Sequence, residues 1–169
     1  MGSVIHKFGL DIESIFCGTW DSLVELAALD LVLDVRQLDG LCESPIELRL
    51  GIALLLASRF RHQKPLMVCD QSTIQYMEGD DTYSFLVPQY KIGKYRIDLA
   101  IFHDATKPPV LVECDGHDFH ERTKDQARHD REKDRTFTRN GDPLLRFTGS
   151  EIHKDAGKCA VEILEYIFP

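Results

Sequence analysis

The sequence predicts an α/β sandwich, a central mixed sheet of about four strands covered by helices. Three observations predict it. Apolar residues recur at three- and four-residue steps near both ends of the chain. They are Ile12, Ile15, Phe16, Trp20, Leu23, Val24, Ala27 and Leu31, then Ile152, Ala156, Ala160, Ile163, Leu164 and Ile167. Short apolar runs bounded by turn residues fill the middle, at 83–92, 95–102 and 110–114. A polar helical stretch and one more short strand separate them from the last helix. A chain of 169 residues, 43% hydrophobic and 28% charged, has the length and composition for one domain with a real core.

The elements follow in order. Residues 11–37 read as a helix that Asp39-Gly40 breaks. A second helix opens at Ser44-Pro45 and runs to about 61, with Ser at the N-cap, Pro at the first helical position and Glu47 at the third. Residues 66–82 read as a short strand and a turn at Glu78-Gly79-Asp80-Asp81. Three strands follow, and Gly93-Lys94 joins the first two as a tight hairpin. Thr106-Lys107-Pro108-Pro109 separates the second from the third. A charged helix spans about 120–139 and stops at Asn140-Gly141. Residues 144–148 form the fourth strand, and an amphipathic helix over 150–167 closes the chain. We read residues 1–43 as a helical extension packed on a domain of residues 44–169.

No apolar run is long enough to span a bilayer, and the opening residues lack a signal-peptide layout, so a cytoplasmic setting is expected. Cys17, Cys42, Cys69, Cys114 and Cys159 are odd in number and include no close pair, which predicts reduced thiols. No nucleophile elbow or P-loop occurs, which removes the serine-hydrolase and NTPase readings. Cys114 stands between two acids, which raise a thiol pKa rather than activate it. The net charge of −8 opposes nucleic-acid binding, but it is unevenly spread. Residues 1–88 carry −7 and residues 89–169 only −1, and within 119–149 there are 8 basic against 6 acidic residues.

Chemistry concentrates in Tyr95 to Gly116. Asp98 interrupts Ile97 and Leu99, and Glu113 and Asp115 close the run Val110-Leu111-Val112. A carboxylate in a doubly covered strand costs several kcal/mol unless it is paired. Alternation puts Leu111, Glu113 and Asp115 on one face. Antiparallel pairing would set Asp98 beside Glu113 at the hairpin's open end. A hard cation, Mg²⁺ or Mn²⁺, is the simplest shared partner, with the Cys114 carbonyl completing the set. The competing expectation is plain ion pairing with Arg96, Lys133 or Arg146.

Asp98, then Glu113-Cys114-Asp115 across a hairpin, preceded by Glu47 on a helix, resembles the PD-(D/E)XK nuclease superfamily. The closer resemblance is to its branch similar to very-short-patch-repair endonucleases. It covers residues 42–167 through Ser44-Pro45-Ile46-Glu47, Gln89, Tyr95-Arg96-Ile97-Asp98, Glu113-Cys114-Asp115-Gly116, Asp130-Arg131-Glu132-Lys133-Asp134, Phe137, Gly141 and Leu145-Arg146-Phe147. The resemblance implies a restriction-endonuclease-like fold and metal-dependent hydrolysis of phosphodiester bonds in DNA. It implies that Asp98 and Glu113 are the central ligands and that Glu47 completes the site. Glu47 competes with itself, because Ser44-x-x-Glu47 is also a capping box worth about 0.5–2 kcal/mol.

The chain departs from the superfamily at Asp115, where the usual residue is lysine. That is the E-x-D variant, in which a basic residue of the next helix can substitute. Lys133 is the candidate, with Lys124 and Arg131 behind it; the competing role for Lys133 is a solvated partner on an acidic helix face. Lys124, Arg128 and Arg131 are the expected contacts to backbone phosphates. Gln89, Gln126 and Asp130 are weighed as further site contacts. His117, His120 and His129 read as polar loop or helix-start contacts, with a donor role near the phosphate for His117 or His120 as the alternative. The competing function is a degenerate nuclease-fold module that binds nucleic acid or a partner protein. A toxin-like nuclease held by a partner protein is a third, and residue chemistry leaves the oligomeric state open.

Overall fold

The computed structural model describes residues 22–61, 65–74, 84–104, 106–116 and 124–169, the side chains of 22–28, 61, 124–127 and 129 excepted. Its elements are α1 (Ser22–Leu41), α2 (Pro45–Arg61), β1 (Leu66–Val68), α3 (Gln71–Ile74), β2 (Ser84–Ile92), β3 (Tyr95–Phe102), β4 (Val110–Asp115), α4 (Lys124–Asn140), β5 (Leu144–Thr148) and α5 (Gly149–Ile167). The sheet runs β1-β2-β3-β4-β5. β2, β3 and β4 form an antiparallel meander, and β1 and β5 add in parallel at the edges. The sheet is therefore mixed, with five strands rather than about four. The extra strand is the short one expected in 66–82; three residues are too few to show a period, and only the burial of Leu66 and Val68 marks it. The turn expected at 78–81 and the helix before residue 22 lie outside the described residues.

Each face of the sheet has its own core. On one, Leu31, Val35 and Leu38 of α1, Leu48, Leu54 and Leu55 of α2, and Ile152, Ile163 and Leu164 of α5 cover Leu86, Leu99, Ile101 and Val112. On the other, Phe137 of α4 packs with Phe85, Val87, Tyr95, Ile97, Ala100 and Leu111. Leu111 and Val112 thus fall on opposite faces, as strand alternation demands.

Two local expectations are corrected. α1 does not break at Asp39-Gly40 but continues to Leu41. Leu38 and Cys42 are fully buried and joined by a Cys42 N–H to Leu38 C=O bond of 2.9 Å, so packing outweighs the roughly 1 kcal/mol cost of a helical glycine. α5 is kinked at Asp155 (φ −160°, ψ 81°). There Asp155 Oδ1 accepts from Lys158 N–H at 2.9 Å and starts a second helical segment as an internal N-cap.

The stops that frame the site behave as expected. Gly141 at φ 80° ends α4, with Gly141 N–H on Thr138 C=O at 3.3 Å and Asp142 N–H on Phe137 C=O at 3.0 Å, the paired bonds of a Schellman motif. Asp34 pairs with Arg59 of α2 and accepts from Val68 N–H of β1 at 2.8 Å, tying α1 to both.

Candidate active site at the open end of the β3–β4 hairpin

Pairing between β3 and β4 runs Ile101–Val110, Ala100–Leu111 and Leu99–Val112. One step further, that register sets Asp98 opposite Glu113, at the end away from the connecting loop. Cys114 N–H donates to Asp98 Oδ2 at 2.7 Å. Asp98 Oδ1 has no hydrogen-bond partner among the described residues. The expected juxtaposition is therefore present.

The neighbouring strand is distorted at the same level. β2 and β3 pair Pro88 with Leu99 and Tyr90 with Ile97, so Gln89 stands across from Asp98. Gln89 has φ 52°, which no other described residue except a glycine shares in sign. Alternation slips by one residue on both strands there. Phe85 and Val87 lie on the α4 side, but so do Tyr90 and Ile92; Tyr95 and Ile97 share that side with Ala100. Pro88 has no N–H to give the ladder, which suits a place where pairing lapses.

Gln89 uses its bent position to reach Glu47. Its Nε2 donates to Glu47 Oε2 at 2.7 Å, and its buried Oε1 has no hydrogen-bond partner among the described residues. Glu47 itself is 6% exposed. Its Oε1 accepts from Ser44 Oγ at 2.6 Å and its Oε2 from Glu43 N–H at 2.9 Å, while Glu47 N–H bonds Ser44 Oγ at 3.3 Å. Glu47 thus does cap α2. Both of its oxygens are engaged, at a place where its charge still acts on Asp98 and Cys114.

The cations come from α4 and β5. Lys133 is 7% exposed, so it is not a solvated helix lysine. Its Nζ donates to Glu113 Oε1 at 2.6 Å and to the Arg96 carbonyl at 2.9 Å. Phe137, one turn on, anchors the helix against Tyr95 with ring centroids 5.5 Å apart. Arg146 lies beside Glu113 in the β4–β5 register. It reaches Asp134 Oδ1 at 2.8 Å, Asp115 Oδ1 at 3.4 Å and Glu113 Oε2 at 3.8 Å. Arg96 does not join the cluster: it pairs with exposed Glu43 at 2.6 and 2.7 Å. Arg146 was legible as one of three pairing candidates and within the Leu145-Arg146-Phe147 motif, but not as a site residue; its signal was a charged residue inside a short apolar strand.

Among the described residues, the acids Glu47, Asp98, Glu113 and Asp115 gather near two cations, Lys133 and Arg146. Burial pushes the Asp98 carboxyl up to about 7, against the lowering effect of the Cys114 N–H; Glu113 and Glu47 add to the rise and Lys133 opposes it. Burial also raises the Cys114 thiol, as do Asp98 and Glu47, so it is no nucleophile. Cys42, Cys69, Cys114 and Cys159 are free thiols.

A hard cation suits this donor set. Mg²⁺ takes oxygen ligands, often one or two carboxylates completed by water and phosphate. Among the described residues Asp98 Oδ1 and Gln89 Oε1 are acceptors without a hydrogen bond, and the gathered carboxylates favour a divalent charge. Among the described residues no three His, Cys, Asp or Glu side chains converge as a ready-made cage, because Glu113 is turned onto Lys133 and Glu47 onto its own helix end.

Arg128 and Arg131 are exposed on α4, and Asp130 is half-buried there. The side chains of Lys124, Gln126 and His129, and all of His117 and His120, lie outside the described residues. Among the described residues, no helix is long and apolar enough to cross a membrane.

A five-stranded mixed sheet between helices, with acids at the mouth of its central hairpin, defines a restriction-endonuclease-like α/β protein. The chain belongs to the REase_MTES_1575 family, a restriction-endonuclease-like family whose model matches residues 77–167. No curated protein and no solved structure matches it.

Proposed function

We propose that this chain is a Mg²⁺- or Mn²⁺-dependent endonuclease that hydrolyses phosphodiester bonds in DNA. We place it in the branch similar to very-short-patch-repair endonucleases, acting in the cytoplasm with residues 44–169 as the nuclease domain. The observation that carries this reading is Asp98 opposite Glu113 at the open hairpin end. Membership in a restriction-endonuclease-like family supports it.

In this reading Asp98, Glu113 and the Cys114 carbonyl hold the ion, and Glu47 stands behind them through Gln89. The bound ion supplies Lewis-acid polarisation of the phosphodiester and a more acidic water. The remaining work belongs to the chain. Lys133 has three donors, two of them spent on Glu113 and Arg96, so one remains for the phosphate or the attacking water. That gives it the part of the lysine that Asp115 displaces. Arg146 holds Asp115 and keeps its charge from repelling the phosphate.

One observation favours a second reading. The 2.6 Å Lys133–Glu113 pair already neutralises a proposed ligand, as expected of a degenerate module that binds nucleic acid or protein without cutting. Incubation of the purified chain with supercoiled plasmid and with single-stranded DNA decides, in Mg²⁺, Mn²⁺ or EDTA, beside Asp98→Ala and Glu113→Ala. Metal-dependent nicking lost in both variants supports the nuclease; no nicking, or nicking equal in the variants, favours the module.

A further inference from the structure

Apart from Lys133, the described basic side chains of α4 do not pair with the acids of the site. At about 100° per residue, Arg128, Arg131, Arg135 and Arg139 fall within about 80° of one another. Lys133 and Phe137 lie on roughly the opposite side of the same helix. Burial agrees with the wheel: the four arginines are exposed, while Lys133 and Phe137 are buried. Among the described residues Glu132 pairs with Lys94, Lys133 with Glu113 and Asp134 with Arg146, and none of these pairs uses the four arginines. Glu132, the acid closest to the stripe, is held by Lys94 at 2.7 Å.

We propose that this outer face of α4 is a docking surface for a nucleic-acid backbone, separate from the catalytic mouth. The choice of partner rests on the nuclease reading. Four guanidiniums recur every three or four residues, a rise of about 4.5–6 Å, along roughly 16 Å of helix. Each offers a planar fork suited to phosphate oxygens. On a chain of net charge −8, a positive stripe with no ion pair among the described residues is where a polyanion is attracted rather than repelled. Opposite faces of a helix lie about 10 Å apart, so the phosphates on the stripe are not the one at Lys133. The stripe holds the substrate and takes no part in the bond change.

The test is binding of a short fluorescein-labelled duplex to the full chain in EDTA, by anisotropy, over a range of KCl concentrations. Arg128→Gln/Arg135→Gln is compared with Lys154→Gln/Lys158→Gln, which removes the same charge from exposed positions of α5. Melting curves verify that each variant is folded. The α4 pair is expected to weaken binding about tenfold and to lower the slope of log K against log salt by about 1.8, with a much smaller effect from the α5 pair. Equal effects of the two pairs, or no binding by the unaltered chain, would overturn the proposal. Capture of polyglutamate but not the duplex through the stripe would overturn it too, in favour of an acidic protein. Plasmid nicking separates the two readings. A chain that binds through the stripe but never nicks keeps the stripe and loses the nuclease. A chain that nicks while its α4 variant binds normally keeps the nuclease and loses the stripe.

Discussion

Lys133 places its ammonium 2.6 Å from Glu113 Oε1 and 2.9 Å from the Arg96 carbonyl, so one side chain joins α4 to both strands of the hairpin that carries the acids. Removing one partner of such a buried pair leaves the other charged and desolvated. Lys133→Met is expected to cost about 3–5 kcal/mol in urea unfolding, and Lys133→Met/Glu113→Gln to recover much of it. Mg²⁺ should then raise the melting temperature of Lys133→Met more than that of the unaltered chain, since Glu113 is left seeking a cation. An equal Mg²⁺ shift in both proteins would count against Glu113 as a ligand.

Asp98 makes stability depend on pH. Its folded pKa is raised from 3.8 to about 7 by burial, and further by Glu113 and Glu47. Between those values the folded state keeps a proton that the unfolded state releases. The contribution is therefore complete below about 3.8 and lost as pH rises through about 7. Relative to Asp98→Asn, which stays neutral, the unaltered chain in EDTA should lose a few kcal/mol between these limits, at about 1.36 kcal/mol per unit. Parallel stability curves for the two proteins would show that Asp98 is ionised throughout.

Gln89 combines strain with a bond. Its φ of 52° costs a non-glycine residue roughly 1–2 kcal/mol, and its amide holds Glu47 at 2.7 Å. Gln89→Ala keeps the strain and loses the bond, whereas Gln89→Gly loses both. Denaturant titration should therefore find Gln89→Gly more stable than Gln89→Ala by about 1 kcal/mol. Both variants should nick plasmid more slowly, because Glu47 is released. The opposite order of stability would mean that the bent backbone is not what Gln89 contributes.

Gly51 lies where α1 meets α2. A Cβ there would sit 2.6 Å from Leu38 Cδ2, 3.0 Å from Cδ1 and 3.3 Å from Cγ, and Leu38 is fully buried. Gly51→Ala should destabilise by about 1–3 kcal/mol despite the better helix propensity of alanine. A gain in thermal stability would show that the two helices can separate without cost.

Much of this was legible along the chain. Ser44-Pro45 starts α2, Gly93-Lys94 turns the hairpin and Asn140-Gly141 ends α4 because caps and turns are satisfied by neighbours in sequence. The Asp98–Glu113 juxtaposition was legible for the same reason: a hairpin makes register a matter of counting. The family resemblance supplied Glu47 as a site residue and the substitute-lysine role for Lys133, whereas Lys133 as an ion-pair partner of the acids was already one of three candidates.

In the sequence by itself, periodicity and local turn chemistry were enough for the layered α/β class, the β2–β3 hairpin and, given antiparallel pairing of β3 with β4, the acids at the open end of that pair. Which carboxylates are paired depended on contacts between elements distant in sequence. The tertiary structure turned Lys133 inward onto Glu113 and set Arg146 between Asp115 and Asp134. It bent Gln89 toward Glu47 and left four arginines facing away from the site. Those outcomes depend on how helices seat against the sheet, which is settled by the burial of Phe137, Leu38 and their neighbours rather than by any signal local to the charged residues themselves.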